Sequence, residues 1–106
     1  MGLHCSHFHG RGKWATRFDP DNCFALCYGC HSHVGAHPAK HQEFYIEKNG
    51  EGLFEIVRER ANDSSLGRQA KKLEPDIRAH YRAELERMKG MRAEGELGRI
   101  EFTGWW

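Results

Sequence analysis

His4-Cys5-Ser6-His7-Phe8-His9, Asp21-Asn22-Cys23 and Cys27-Tyr28-Gly29-Cys30-His31 are the pieces of this chain whose reading decides its fold. They fall within residues 4–41, which hold all four cysteines and seven of the eight histidines. Imidazole and thiol are poor core fillers but good ligands for borderline metal ions. That density points to a metal-built active centre, with the rest of the chain as its support.

At 106 residues the chain makes one small domain with a limited apolar core, which metal ligation or oligomer contacts commonly supplement. Sixteen basic residues stand against 15 acidic ones, so bulk charge is no argument for nucleic-acid binding and any DNA-facing surface has to be a local patch. No apolar run approaches the roughly 18–20 residues of a membrane span, and the polar start lacks the apolar segment of a signal peptide. The expected location is the cytoplasm, with no membrane partner. In that reducing compartment a Cys-x-x-Cys flanked by histidines reads as metal-binding rather than disulfide-bonded.

Residues 3–9 read as a short strand and Gly10-Arg11-Gly12-Lys13 as a flexible basic loop. A second strand is expected to run through Arg17-Phe18 and to stop at the turn cluster Asp19-Pro20-Asp21-Asn22. The Cys27–Cys30 knuckle then opens a short helical turn ending near Gly35. Pro38 suits a first helical turn, which predicts a helix over 38–48 stopped by Asn49-Gly50. The next helix, 51–61, presents Leu53, Ile56, Val57 and Ala61 on one face. After the polar break Asn62-Asp63-Ser64-Ser65 the segment to Lys72 is too poor in apolar residues to assign. Ile77, Tyr81, Leu85 and Met88 recur at helical spacing and predict a long helix over 75–89. Arg99-Ile100-Glu101-Phe102-Thr103 alternates like a strand. Trp105-Trp106 needs somewhere to bury its indoles, either on the chain's own helices or against a second copy in a homodimer.

His7, Asn22 and Cys27-x-x-Cys30-His31 resemble the three parts of an HNH nuclease, the ββα-metal or His-Me finger, over about residues 3–40. The runs Cys5-Ser6-His7-Phe8, Arg17-Phe18-Asp19-Pro20-Asp21-Asn22-Cys23, Leu26-Cys27-Tyr28-Gly29-Cys30-His31 and His37-Pro38 resemble more closely the phage NinG-type recombination nucleases, which act on branched or single-stranded DNA. The resemblance implies an α+β fold: a small ββα-metal core with a β-hairpin and a zinc knuckle, followed by a mainly helical C-terminal part. It divides a single 1–106 domain into a core (1–48), a helical extension (49–92) and a tail (93–106). The implied function is metal-dependent hydrolysis of DNA phosphodiester bonds in the cytoplasm of a bacterial host, in phage or prophage recombination.

Phosphodiester hydrolysis needs an activated water, a cation on the phosphate and stabilisation of the leaving 3′-oxygen. His7 is the expected general base, because imidazole titrates near working pH. The resemblance implies that the Asn22 amide bridges the hairpin or orients the base, and that His31 binds one divalent ion, magnesium or manganese. Ser6 stands where a carboxylate commonly helps, which leaves the second ligand to His37, His4 or His9. His37 is favoured by its place just before a helix start.

Cys27 and Cys30 have the spacing of a knuckle that bites one tetrahedral zinc ion. Many HNH proteins take the other two ligands from a Cys-x-x-Cys ahead of the base, which the six residues before His7 do not hold. Cys5 and Cys23 are the candidates to complete an all-cysteine structural zinc site, against the alternative that they are a buried pair of small hydrophobes. Arg11, Lys13 and Arg17 are placed to grip a phosphate backbone, with solvation as the alternative. Trp14 is placed to stack on a base or to anchor packing. A non-catalytic zinc module binding nucleic acid or protein, and an interaction protein built on the C-terminal helices, are the rival readings.

Overall fold

The computed structural model describes residues 2–105; it is α+β, 66% helical with one small antiparallel hairpin. Strand β1 (His4–His7) pairs with β2 (Cys23–Leu26), with His4 opposite Leu26 and His7 opposite Cys23. Because side chains alternate across a strand, Ser6 is buried on one face while Cys5 and His7 fall on the other. The second strand therefore lies after the turn cluster, not before it. Residues expected to be strand form instead a single helical turn, α1 (Trp14–Arg17). The cluster itself is a 3-10 turn, Pro20–Asn22, capped by the Asp19 carboxylate on the Asp21 amide, and it feeds β2 rather than ending it.

Helix α2 (Tyr28–Ala36) starts where the knuckle predicts, with Cys27 as its N-cap. Helix α3 (Pro38–Ala61) begins at the expected proline and is kinked at Gly50, whose φ of +86° is a left-handed backbone that favours glycine. Asn49-Gly50 thus bends the helix where a stop was expected. Tyr45 is fully buried at the centre of the core, with Phe8, Phe24 and Phe54 rings around it at 4.9, 5.5 and 6.1 Å. The second half of α3 is rolled relative to the expected face. Phe54, Val57 and Ala61 make the seam, and Ile56 is 48% exposed.

Helix α4 (Ser64–Lys72) fills the unassigned segment, capped by the Asp63 carboxylate on the Leu66 amide. It packs on α1 through Ala70 and the side-chain-free face of Gly67. Helix α5 (Glu74–Ala93) is the expected long helix, but it buries only Ile77 completely and leaves Leu85 half exposed. No strand forms over 99–103. The tail runs back along α5, where side chains rather than a partner strand take up its backbone groups. Glu84 accepts from the Thr103 amide (2.9 Å), His80 Nε2 donates to the Thr103 carbonyl (2.7 Å) and the Arg87 guanidinium donates to the Glu101 carbonyl (2.9 Å). Trp105 is half-buried against His80 of the chain's own α5, and Trp106 lies outside the described residues. Among the described residues no helix is long and apolar enough to cross a membrane.

Candidate metal and anion site

The exposed face of the hairpin forms one wall of a cleft of about 670 Å³ lined by His4, Cys5, His7, Arg11, Arg17, Cys23 and His31, together with Phe18, Pro20, Arg78, Tyr81 and Phe102. Three arginines and three histidines line this space and, among the described residues, no carboxylate does, a lining that suits an anion, although Arg78 is also paired with Glu74 at 2.8 Å.

His7 ends β1, half-buried. Its Nε2 lies 3.0 Å from the Arg17 carbonyl, which can only accept, so Nε2 carries the proton and Nδ1 keeps its lone pair. Burial lowers the pKa of His7 from its ordinary value, with Arg11, Arg17 and His31 adding to the effect against the opposing Arg17 carbonyl. The ring is held neutral, in a form that can accept a proton or bind an ion.

Asn22 is wholly buried and clamps the loop that carries this geometry. Its Oδ1 accepts from the His9 amide (2.8 Å), and its Nδ2 donates to the His9 carbonyl (2.9 Å) and the Thr16 carbonyl (3.1 Å). The Phe8 amide donates to the Asn22 carbonyl at 2.8 Å. The amide thus bridges the end of β1 to α1, which presents the Arg17 carbonyl to His7. Behind it, Arg60 of α3 holds both Asp19 (2.9 Å) and Asp21 (3.0 Å).

His31 sits in the first turn of α2, and its partner is His4: the two Nδ1 atoms are 3.2 Å apart. His37 is elsewhere. Its Nδ1 donates to the His33 carbonyl at 2.8 Å and its ring lies on His33, at the C-cap of α2, the end of the helix away from His31. His9 is drawn to the other side of the hairpin, where its Nε2 and that of His41 are buried without a hydrogen-bond partner among the described residues.

The four cysteines are free thiols that divide into two pairs, so the expected all-cysteine site is not assembled. Cys5 and Cys23 group with His7, one ligand atom from each lying within 4.8 Å of the others, a cluster that could hold a metal ion such as zinc. Burial raises the Cys23 pKa strongly, with Cys5 adding to it, and the thiol donates to the Asp19 carbonyl at 3.4 Å. Cys27 and Cys30 are exposed at the start of α2, where the Cys30 amide donates to Cys27 Sγ at 3.5 Å and lowers the pKa of that thiol. Cys30 is raised by its neighbour Cys27. No third His, Cys, Asp or Glu ligand joins this pair at metal-binding spacing among the described residues.

Arg11 and Arg17 line the cleft as the sequence suggests, and Arg78 of α5 joins them. Lys13 turns away to Asn62 (3.4 Å). Trp14 is a packing anchor, half-buried between α1 and α4 with the Arg17 guanidinium 4.3 Å from its ring centre and Lys71 at 5.9 Å. Sequence reasoning missed Arg78 and the choice of His4. The first had no local signal; the second follows from the register, which places His4 opposite Leu26 at the strand end that enters α2 and which the sequence does not show. Comparison of the chain with protein-family models, with curated proteins and with solved structures found no match.

Proposed function

We propose that this chain is a divalent-metal-dependent endonuclease of the HNH type, hydrolysing DNA phosphodiester bonds. The observation that carries the reading is His7, with its Nε2 proton committed to the Arg17 carbonyl, in a cleft that no carboxylate lines among the described residues and that it shares with the His4–His31 nitrogen pair and Arg11, Arg17 and Arg78. His7 Nδ1 takes the proton of the attacking water, and Asn22 holds the loop that fixes the imidazole. The arginines bind the phosphate flanking the scissile bond in the fork geometry that suits phosphate oxygens.

His4 and His31 are the residues that would hold the catalytic cation. Two imidazoles without a carboxylate suit manganese better than magnesium, a harder ion that prefers oxygen ligands. When bound, a divalent ion supplies Lewis-acid stabilisation of the phosphate and of the leaving 3′-oxygen. Cys27 and Cys30 would supply only two of the four ligands of a structural zinc ion, since no third joins them among the described residues. Action on branched or single-stranded DNA, in phage or prophage recombination, belongs to the same proposal, and a homodimer is compatible with it. The Cys5–His7–Cys23 cluster favours a second reading, a non-catalytic zinc module, in which His7 is a ligand only.

Metal rescue after chelation tests the assignment. Stripped protein should regain plasmid nicking with manganese, and His4→Ala or His31→Ala should raise the manganese required by more than about tenfold, while His37→Ala should not. Full cutting in the absence of divalent ions, or a requirement shifted by His37→Ala and not by His4→Ala, would remove this cation site.

A further inference from the structure

The register of the hairpin does something for His7 that its proposed role as a base does not use. Residues two apart on a strand share a face and cross-strand partners are neighbours, so pairing His7 with Cys23 surrounds one imidazole with two thiols, Cys5 along β1 and Cys23 across from it. One ligand atom from each of the three falls within 4.8 Å of the other two, and Cys5 is open to solvent, so an ion has a way in. Two sulfurs and an imidazole are a soft donor set, selective for zinc, cadmium or cobalt over magnesium and manganese.

We infer that Cys5, His7 and Cys23 form an inhibitory binding site for a soft divalent ion, which switches the cleft off by turning His7 from a base into a ligand. The inference rests on the assignment of His7 as base. A neutral imidazole has one lone pair, which can take a proton from water or a metal ion but not both. Binding of the ion releases the two thiol protons to solvent as the sulfurs become thiolates, so occupancy falls as pH is lowered. The site is separate in chemistry from the His4–His31 pair, which has no sulfur. Inhibition through this site therefore does not require zinc to displace manganese from His4 and His31, and only inhibition through the sulfurs depends on Cys5 and Cys23.

Two measurements on the 106-residue chain test this. In the first, metal-free protein is titrated with cobalt and the thiolate-to-cobalt absorption is followed. A Cys27→Ser/Cys30→Ser variant, lacking the other thiol pair, should still bind one cobalt with that band, and adding Cys5→Ser should abolish it. In the second, nicking supported by manganese is inhibited with zinc, each variant being compared with its own zinc-free rate. Cys5→Ser should raise the zinc concentration for half inhibition by more than about tenfold. Cys5 is exposed, so this substitution carries little folding cost, and Cys23→Ser provides a second variant with the same expected shift. Unchanged zinc inhibition in both cysteine variants, or no thiolate band in the Cys27→Ser/Cys30→Ser protein, overturns the inhibitory site. Absence of nicking under every metal condition, with the cobalt band present, overturns the nuclease reading and with it the switch, leaving the three residues as an ion site alone.

Discussion

Among the described residues, the buried polar side chains are Ser6, Thr16, Asp19, Asn22 and His41, all in the part of the chain that builds the hairpin and cleft. From Val57 onward the buried side chains are apolar: Val57, Ala61, Ala70 and Ile77. Directed hydrogen bonds of Asn22 and Asp19 fix the first region around the Tyr45 core, and the second is held by small apolar contacts that tolerate shifts along a helix. A site needs the former, because a base misplaced by about 1 Å loses much of its rate. The helical part buttresses it, reaching the cleft wall through Tyr81, whose hydroxyl donates to the Phe18 carbonyl (2.7 Å) and accepts from the Trp105 amide (3.1 Å).

The largest difference between the regions should appear on removing one side chain from each. Asn22→Ala strands the buried Thr16 carbonyl and the part-buried His9 amide and carbonyl. With each unsatisfied group costing about 1–3 kcal/mol, the expected loss is about 3 kcal/mol or more, read from urea denaturation. A loss below about 1 kcal/mol would mean that water replaces the amide and that the clamp is not what holds the loop. In the helical part, Tyr81→Phe removes two hydrogen bonds at a half-buried position and should cost about 1 kcal/mol. An equal or larger loss than for Asn22→Ala would reverse the comparison.

The smallest effect is the pH dependence peculiar to the hairpin side. Burial lowers the pKa of His41 below the ordinary 6.5, with His31 and His9 adding to it, and burial also lowers His9, with Lys13 adding. The unfolded chain therefore binds these protons more readily than the folded one. Stability is fully present above 6.5 and is lost as pH falls through the lowered folded values. Denaturation midpoints should fall between about pH 7 and about pH 5, and His41→Gln should make that slope shallower. A flat profile in the unmodified protein would place both rings in contact with solvent.

The same contrast explains what could be read from the sequence. Proline at 38, the Cys27–Cys30 knuckle and the long helical spacing from Ile77 are local signals, and each marks the element it suggests, whereas Asn49-Gly50 bends a helix it was expected to stop. The second strand was misplaced because Cys23-Phe24-Ala25-Leu26 does not alternate, and because Asp19-Pro20-Asp21-Asn22 looks like an end when it is a beginning. The choice of His37 rested on its place just before a helix start, whereas the hairpin register brings His4 to His31. Helix α4 escaped because its contact surface is Ala70 and Gly67, which packing uses and hydropathy overlooks. The tail alternates without being a strand because α5 offers it side-chain partners. The bridging place of Asn22 at the end of β1 agrees with what the resemblance implies, whereas the separation of the cysteines into two pairs depends on strand pairing that no local pattern encodes.

The central claim, that His7 is the base of a metal-dependent nuclease, is tested most directly by nicking of supercoiled plasmid with and without manganese, by wild type and by His7→Ala. The account predicts manganese-dependent nicking that falls about 10²–10⁴-fold in the variant. Folding stability should drop by no more than about 1 kcal/mol for the lost bond to the Arg17 carbonyl. A His7→Ala protein that nicks at the wild-type rate would contradict it.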